Sequence, residues 1–474
     1  MNNNQKATKR ALLTSVMALV MCVAMLVGTT FAWFTDSAST AVNKIQAGTL
    51  DVQLLDAAGN SLEGQTLSWQ KAPGHENDPV LWEPGCTYNL QPITIKNNGN
   101  LALKYKIQIS GIQGDAELNN AIEWTITNSS TTTALDADHP LAAGASDTLT
   151  IKGHMKEEAG NEYQGKSIDG IGITVVATQE TVEYDSTTNQ YDAGATYPVT
   201  VSNATAMRDA LTQGSGNIVL TEDVTVEDGI QMSVTNDTSI NFNGNTLEGA
   251  VESGSISSSD GPTNLVLSDP NNGGEYSIDG EIVRHEGGGY TQLAAITVWK
   301  PTVTIESGKY THDNDVILCQ LQTQDPNAVG VVVNGGTFDG KGAASVIANI
   351  FGNVIVNDGE FNAHYDGDSS GECVYVSSGN SHVPSITTIN GGTFNADKRV
   401  FYVSVNTSYT QKIVVTGGTF NVAAGGSLIQ VSSGDASDYL TITGGTFNVD
   451  PSAYVDTANY NVTHSGSTWT VTAK

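Results

Sequence analysis

One five-residue motif recurs through the second half of the chain and limits its fold more than any other feature. It has the form Asn-Gly-Gly-Thr-Phe, with variants, and each of six copies ends in an aromatic residue. These aromatic residues are Tyr310, Phe338, Phe361, Phe394, Phe420 and Phe447, so successive copies are 28, 23, 33, 26 and 27 residues apart. A near-constant period of this length indicates a solenoid, whereas a propeller blade would need about 40 residues.

Short apolar segments surround the motifs. A β-branched segment precedes each one, as in Val331-Val332-Val333, and a second apolar segment follows, as in Cys373-Val374-Tyr375-Val376. A right-handed parallel β-helix over residues 199–474 explains this pattern, because its coils stack about 4.8 Å apart and place equivalent residues over one another. The aromatic side chains are predicted to form a ladder inside the solenoid, and the glycines to permit a tight bend. The residues that follow the aromatics and are predicted to form a turn ladder are Thr311, Asp339, Asn362, Asn395, Asn421 and Asn448.

Both ends of the predicted solenoid carry capping signals. At the start, the segment Met207–Leu211 predicts a short helix that Asn203 or Thr205 can cap and that Gly214 follows. At the other end an open solenoid would expose apolar side chains and strand edges. The residues expected to cover the last coil are Tyr454, Tyr460 and Trp469.

The first half of the chain shows short strands of period two. Leu101–Ile109 alternates apolar and polar residues, which is typical of an antiparallel sheet with one buried face. Asn98-Gly99 lies between this strand and Ile93–Ile95 and predicts a hairpin. We therefore predict an all-β protein, in which a β-sandwich at residues 33–180 is joined by a polar linker at 181–198 to the β-helix.

The first 32 residues have the three parts of a secretory signal peptide. Three basic residues precede an apolar run from Ala11 to Gly28, and cleavage is predicted between Ala32 and Trp33. A retained membrane anchor is the alternative, because the run is long enough to span a bilayer. Cleavage predicts a secreted protein of the cell surface or extracellular matrix, without membrane contact after processing.

The chain is strongly acidic, with 20 Lys and Arg against 50 Asp and Glu, which gives a net charge of −30. Cleavage would remove three positive charges, and 17 − 50 gives −33. Repulsion between polyanions argues against nucleic acids and anionic membranes as partners. Charged residues are only 15% of the chain, and the Gly, Asn, Thr and Ser that replace them favour turns and strands over helices.

Ordered blocks within the first 192 residues resemble the camelysin/TasA family of exported Gram-positive proteins. The blocks are Phe31–Asp36, Ala47–Asp51, Trp82–Gly85 with Tyr88, Asn97–Tyr105, Gly160–Gly165 and Ala177–Gln179. The resemblance implies a jelly-roll-like sandwich that forms biofilm fibres, in which the N-terminal strand of one subunit completes the sheet of the next. Trp33 to about Ala47 is the expected donor strand, and the role of Cys86 stays open.

Residues Asn203–Leu247 resemble the opening coil of the pectin-lyase-like superfamily. They combine the short helix with Gly216–Leu220 and Asn243–Leu247. This fold is shared by lyases, hydrolases, tailspikes and adhesins without enzymatic activity. The resemblance therefore implies a fold and not a function.

Motifs for catalysis are weak. A zinc peptidase needs two His four residues apart with a Glu beside the first, but neither His75-Glu76 nor His285-Glu286 is followed by the second His. Polysaccharide-cleaving enzymes need clustered carboxylates with a basic partner. The candidate residues are Asp313 with Asp315, Asp366 with Asp368, and the basic pair Lys398-Arg399.

One segment matches half of a calcium loop. Asp366, Asp368 and Ser370 are spaced as the first three oxygen ligands, and Gly371 stands where the loop turns. Ser377 replaces the Glu that would bind Ca²⁺ through both oxygens, so we predict a weak Ca²⁺ site and no other cofactor.

Three cysteines follow the predicted cleavage site. Cys319 and Cys373 belong to coils two steps apart, so their separation should be about 10 Å. A disulfide needs Cα atoms within about 7 Å. We predict free thiols.

These observations favour a structural or adhesive protein of a cell surface or biofilm matrix over an enzyme. The sandwich is predicted to self-assemble into fibres by donor-strand addition. The β-helix is predicted to serve as a rigid display or glycan-binding rod. The alternative is a polysaccharide lyase or hydrolase attached to the assembly domain.

Overall fold

The computed structural model describes residues 35–37, 50–62, 65–78, 80–128, 131–180, 195–226, 232–249, 251–253, 264–269, 275–278, 294–300, 302–312, 315–323, 325–340, 345–365, 371–377 and 383–474. The chain divides into two compact units, one ending at Tyr197 and one running from Pro198 to Lys474. No helix in the described ranges is long and apolar enough to cross a bilayer.

The first unit consists of ten antiparallel strands. They are β1 (Thr35–Ser37), β2 (Val52–Leu55), β3 (Thr87–Asn89), β4 (Ile93–Asn97), β5 (Leu103–Gly114), β6 (Ile122–Asn128), β7 (Thr131–Ala134), β8 (His139–Leu141), β9 (Ser146–Met155) and β10 (Ile168–Gln179). One sheet has the order β1-β10-β5-β8, and the other has the order β2-β4-β9-β6-β7 with β3 against β9. Side chains of both sheets, among them Tyr105, Val175, Ile95 and Ile151, belong to one hydrophobic cluster. Two 3₁₀ helices, Ala116–Ala121 and Asn161–Tyr163, lie between the strands.

The predicted hairpin at Asn98-Gly99 is wrong. β4 pairs with β2 and β9, whereas β5 pairs with β10 and β8, so the chain passes here from one sheet to the other. The buried side chain of Asn97 accepts a hydrogen bond from the Gly99 N–H at 3.0 Å and donates to the carbonyls of Leu101 at 2.8 Å and Leu141 at 3.1 Å. These bonds hold the chain on a path that no hairpin could follow.

The second unit is a right-handed parallel β-solenoid. Its strands are β11 (Val199–Val201), β12 (Asn217–Leu220), β13 (Val224–Thr225), β14 (Met232–Val234), β15 (Thr238–Asn241), β16 (Leu247–Glu248), β17 (Val251–Ser253), β18 (Leu265–Ser268), β19 (Glu275–Ile278), β20 (Ile296–Val298), β21 (Val303–Ile305), β22 (Lys309–His312), β23 (Ile317–Gln320), β24 (Val329–Val333), β25 (Thr337–Gly340), β26 (Ile347–Val356), β27 (Glu360–Ala363), β28 (Glu372–Val376), β29 (Ser385–Ile389), β30 (Thr393–Ala396), β31 (Arg399–Val403), β32 (Gln411–Val415), β33 (Thr419–Val422), β34 (Ser427–Val431), β35 (Leu440–Ile442), β36 (Gly445–Phe447), β37 (Tyr460–Ser465) and β38 (Thr468–Ala473).

The solenoid strands form three parallel faces. The first face runs β11-β12-β15-β18-β21-β24-β26-β29-β32-β35, the second β13-β16-β19-β22-β25-β27-β30-β33-β36, and the third β14-β17-β20-β23-β26-β28-β31-β34. β26 is long enough to belong to both the first and the third face. The apolar segments before and after each motif predict two strands per coil, whereas the structure has three. The third is the end of the repeated motif itself, such as Thr393-Phe394-Asn395, which forms the second face.

The aromatic residues at the ends of the motifs lie in one buried column inside the solenoid. Successive ring centroids from Tyr310 to Phe447 are 4.6 to 5.0 Å apart, and neighbouring ring planes are within 11° of parallel. The two glycines of a motif have separate roles. Gly392 has a φ of 93°, whereas a Cβ at Gly391 would come within 2.3 Å of the Asn357 carbonyl oxygen on the preceding coil.

Both ends of the solenoid are capped. Helix α1 (Ala204–Thr212) buries Met207, Ala210 and Leu211, and Asn203 caps it by accepting a hydrogen bond from the Ala206 N–H at 2.9 Å. At the other end, β37 and β38 form an antiparallel hairpin whose second strand pairs antiparallel with β36 and sets Trp469 opposite Phe447. Two further 3₁₀ helices, Ala436–Asp438 and Ser452–Tyr454, precede this hairpin.

Candidate functional site

The first candidate site is the edge strand β1. Its backbone pairs antiparallel with the end of β10, with Thr35 opposite Thr178, Asp36 opposite Ala177 and Ser37 opposite Val176. The three β10 residues are at most 1% exposed. β1 lies within the predicted donor segment, Trp33 to Ala47, whose other residues are outside the described ranges.

The second candidate site is a cleft of about 260 Å³ at the corner between the second and third faces. Its floor is a column of amides from three successive coils, in which Asn421 Nδ2 donates to Asn395 Oδ1 and Asn395 Nδ2 donates to Asn362 Oδ1, each at 2.8 Å. An Asn amide has two donor hydrogens and two acceptor lone pairs. Asn395 Nδ2 also donates to Glu360 Oε1 at 3.5 Å, so both of its donor hydrogens are used. The amide oxygens, with two lone pairs each, are then the groups of the column that can bind a polar ligand.

His364 lies at the rim of this cleft between two carboxylates. Its Nε2 is 3.0 Å from Asp339 Oδ1, and its Nδ1 is 3.6 Å from Asp397 Oδ2. Asp397 also accepts a hydrogen bond from the Tyr365 N–H at 3.2 Å. The Tyr365 side chain is 37% exposed, and Lys398 Nζ lies 4.0 Å from its ring centroid. The rim thus combines hydrogen-bonding groups with an aromatic surface.

A buried polar row starts the strands of the third face. Asp315, Ser345, Glu372 and Arg399 occupy equivalent positions on four successive coils. The Ser345 N–H donates to Asp315 at 3.0 Å, the Ser345 hydroxyl donates to Glu372 at 3.2 Å, and Arg399 donates to Glu372 through Nε at 3.2 Å and Nη2 at 3.0 Å. All four residues are at most 7% exposed.

The electrostatics of this row follow from burial. Burial raises the pKa of Asp315 to about 7, against the hydrogen bonds from Ser345, and the nearby Glu372 adds to the rise. Burial also raises the pKa of Glu372, although the Arg399 guanidinium opposes that shift. On its other side, Arg399 donates from Nη1 to the Gln430 side-chain oxygen at 2.8 Å. Its Cζ also lies 4.4 Å from the centroid of the Tyr402 ring.

Only Asp315 and Arg399 of this row were candidates from the sequence, and each was paired there with a different residue. A usable signal was present, because all four residues come directly before the apolar segment of their coil: Asp315-Val-Ile, Ser345-Val-Ile, Glu372-Cys-Val and Arg399-Val-Phe. Alignment on those segments brings the row together.

The three cysteines among the described residues, Cys86, Cys319 and Cys373, are free thiols. Cys319 stands opposite Asn349, which stands opposite Val376, so Cys373 is three residues away from the column of Cys319 as well as two coils away. Burial raises the pKa of Cys319 to about 12 and raises that of Cys373 further. Cys86 is half-buried, and its sulfur accepts a hydrogen bond from the Glu83 N–H at 3.3 Å.

Several predicted sites lie outside the described residues. These are the cleavage site at Ala32 and Trp33, the calcium candidates Asp366, Asp368 and Ser370, and the single residues Asp313 and His285. His75, which is described, lies in an exposed loop with Nδ1 2.6 Å from Asp78. Within the described part of the chain, no group of three His, Cys, Asp or Glu side chains is placed to hold a metal ion.

A family model described as camelysin metallo-endopeptidase matches residues 7–58. The match spans the predicted signal peptide and the segment through β2. The described residues do not supply the metal ligands that this family description suggests, so we derive no metal-dependent step. A search of curated proteins and a search of solved structures find no match to the chain.

Proposed function

We propose that the chain is a secreted structural protein of a cell surface or biofilm matrix that polymerises through its N-terminal strand. The similarity of residues 7–58 to camelysin and the presence of a β-solenoid are compatible with this function. The observation that carries the proposal is the pairing of β1 with β10 directly after the predicted cleavage site. In the proposed sandwich of jelly-roll type, β1 is the exchangeable strand.

Strand exchange would conserve the bonds that β1 makes. β1 has three residues and one strand neighbour, so few contacts hold it within its own chain. The same backbone bonds form when β1 of a second copy lies on β10, as in other cases of strand addition to a sheet edge. Loss of β1 without replacement would uncover the buried residues Val176, Ala177 and Thr178, which favours an occupied edge.

Cysteine pairing tests exchange directly. In a Cys86→Ser background, chains carrying only Thr35→Cys are mixed with chains carrying only Thr178→Cys and oxidised. We expect a covalent mixed dimer, because opposite Cα atoms on paired strands lie within disulfide range. In the control mixture, Thr132→Cys, on an exposed strand of the other sheet, replaces Thr178→Cys. This mixture should give no covalent dimer.

The same residues can also lock the strand. With both substitutions in one chain, the oxidised protein should fail to polymerise and the reduced protein should recover. Deletion of Trp33–Gln46 should also abolish polymers seen by electron microscopy. Unchanged polymers in the locked or deleted protein would show that β1 is not the donor.

The solenoid is proposed to act as a rigid rod that binds glycans in the cleft. The amides of the Asn362, Asn395 and Asn421 column recur at the spacing of stacked coils, about 4.8 Å. A polysaccharide lying along the rod would donate hydrogen bonds from its hydroxyl groups to these amides, with Tyr365 as a stacking surface.

Two variants and one matched control test glycan binding. Asn395→Ala and Tyr365→Ala should each lower retention on insoluble neutral and acidic polysaccharides. Asn357→Ala removes an equivalent ladder amide, bonded to Asn334 at 2.8 Å and to Asn390 at 2.9 Å, that does not line the cleft. Equal losses in all three variants would contradict a role for the cleft.

A polysaccharide lyase or hydrolase is the second candidate function. The observation that favours it is His364 between the carboxylates of Asp339 and Asp397, since His and carboxylates are the usual proton-transfer groups. Release of unsaturated or reducing ends from acidic polysaccharides, lost in Asp397→Asn and in an Asp366→Ala, Asp368→Ala variant, would support it. Binding without product release would favour the structural function.

A further inference from the structure

The outer edge of the C-terminal hairpin has no strand neighbour in the described part of the chain. β37 pairs with β38 through Tyr460 opposite Ala473 to Ser465 opposite Thr468, and β37 is the last strand of its sheet. The Lys474 N–H donates to the Asn459 carbonyl at 3.1 Å, which fixes the alternation of bonds along the pair. The backbone groups of Asn461, Thr463 and Ser465 thus point to β38, and those of Val462 and His464 point to the open edge.

This edge lacks the usual protection against pairing. Proteins blunt exposed edges with charges, proline, bulges or very short strands. β37 has six residues, its register with β38 is continuous, and its sequence Tyr-Asn-Val-Thr-His-Ser has no proline and no side chain that is always charged. Asn461, Thr463, His464 and Ser465 are exposed.

We propose that β37 pairs antiparallel with β37 of a second copy of the chain, about a two-fold axis at Thr463. Val462 of each copy then lies opposite His464 of the other, and both exchange N–H and C=O bonds with their counterparts. Antiparallel self-pairing satisfies the edge-facing N–H and C=O groups of Val462 and His464, and it is the closed symmetry expected of a homodimer. The Tyr460 N–H, which faces the same edge, already donates to the Asp456 carbonyl at 3.0 Å.

The side chains suit this register. Thr463 meets its own counterpart at a position without backbone bonds, where side chains approach most closely and a Thr–Thr contact is favourable. Asn461 lies opposite Ser465 of the second copy, so no charges are brought together. A partner of different sequence would need to match this pattern, whereas a second copy matches it by symmetry. The proposal does not rest on strand donation by β1.

Cross-linking tests the two-fold axis. In a Cys86→Ser background of the full chain, Thr463→Cys should form a disulfide-linked dimer on mild oxidation, because Cα atoms at such a position are about 4.5 Å apart. Ser467→Cys, in the exposed turn of the same hairpin, is the matched control. We expect several-fold more covalent dimer from Thr463→Cys, and equal yields would overturn the proposal.

Charge substitution gives a second test that does not depend on cysteines. Thr463→Lys and Thr463→Asp chains should each be monomeric by sedimentation when the donor segment 33–46 is deleted, and their equimolar mixture should recover the dimer. Recovery also shows that both variants fold. Pairing at this edge would be overturned if either variant alone formed a dimer as stable as that of the parent. It would also be overturned if the mixture recovered no dimer. Neither result would bear on assembly through the N-terminal strand.

Discussion

The two units of this protein bring strands together by opposite rules. In the first unit antiparallel pairing sets unlike residues side by side, as where Trp124 lies opposite Gly153. In the solenoid parallel pairing sets each residue beside its counterpart in the next coil, as where Phe361 lies opposite Phe394. A favourable contact in the solenoid is therefore repeated, and so is an unfavourable one. Rows of aromatic or amide side chains are stabilised by this repetition. A row that contains a buried charge instead needs a residue of opposite charge in the same row.

Removal of the cation from the buried row should have the largest effect. In Arg399→Met, Glu372 keeps a buried carboxylate without its ion-pair partner, which costs about 3–5 kcal/mol. Urea unfolding followed by circular dichroism should show the loss in the solenoid transition alone. The double variant Glu372→Leu, Arg399→Met should recover most of it, and a double variant as unstable as the single one would contradict the role of the pair.

Truncation of one ladder aromatic should have an effect of similar size. Phe394→Ala leaves a cavity between Phe361 and Phe420 and should cost about 3–5 kcal/mol in thermal or urea unfolding. The three Phe→Leu variants at 361, 394 and 420 should each cost less than Phe394→Ala, because a smaller cavity remains, and their costs should agree with one another. Unequal costs would show that the interior coils are not equivalent.

Replacement of Asp315 should change how solenoid stability depends on pH. The folded pKa of about 7 is above the unfolded value of about 3.9, so the fold favours the neutral acid. The contribution of Asp315 to the free energy of unfolding is then largest below about pH 4. It is lost as the pH rises toward 7, by at most about 4 kcal/mol. Asp315→Asn should remove this loss, so the variant should unfold at higher urea than the parent at pH 8 and at nearly the same urea at pH 4. Parallel pH profiles would contradict the buried proton.

Replacement of one asparagine in each unit should have the smallest effects on stability, and it compares the two units directly. Asn97→Ala in the first unit removes the buried donors to the Leu101 and Leu141 carbonyls and should cost about 1–3 kcal/mol. Asn395→Ala breaks a partly exposed ladder and should cost about 1 kcal/mol. Urea midpoints of the two transitions measure both, and the reverse order would contradict the difference between a unique and a repeated polar contact.

The solenoid could be predicted because equivalent positions of successive coils make the same contacts and therefore carry the same residue types. The aromatic column and the amides after it are visible as a period in the sequence. In the first unit the pattern around Asn98-Gly99 suggested a local hairpin, and the actual path depends on the bonds from Asn97 to Leu101 and Leu141. The Leu141 contact joins residues 44 apart in sequence, and no local pattern encodes it.

The candidate sites were less visible than the fold. The pairing of Glu372 with Arg399 needs the register of the third face, which the uneven lengths of the intervening loops conceal. The cleft depends on which Asn side chains align at one corner, and its rim residues His364 and Tyr365 belong to no repeat. The pairing of β1 with β10 rests on backbone bonds between residues about 140 positions apart in sequence. Pairings of this kind come from tertiary contacts.

The helix at the start of the solenoid and the hairpin at its end have a consequence for length. A coil that carries no charge in the buried row can be repeated, so the segment 420–446 can be duplicated while Phe394 and Phe447 each still meet a ring and Arg399 keeps Glu372 and Gln430 as partners. Each such event would change the rod by one strand spacing, about 4.8 Å, without redesign of either terminus. The length of the solenoid would then increase by one coil with each duplication.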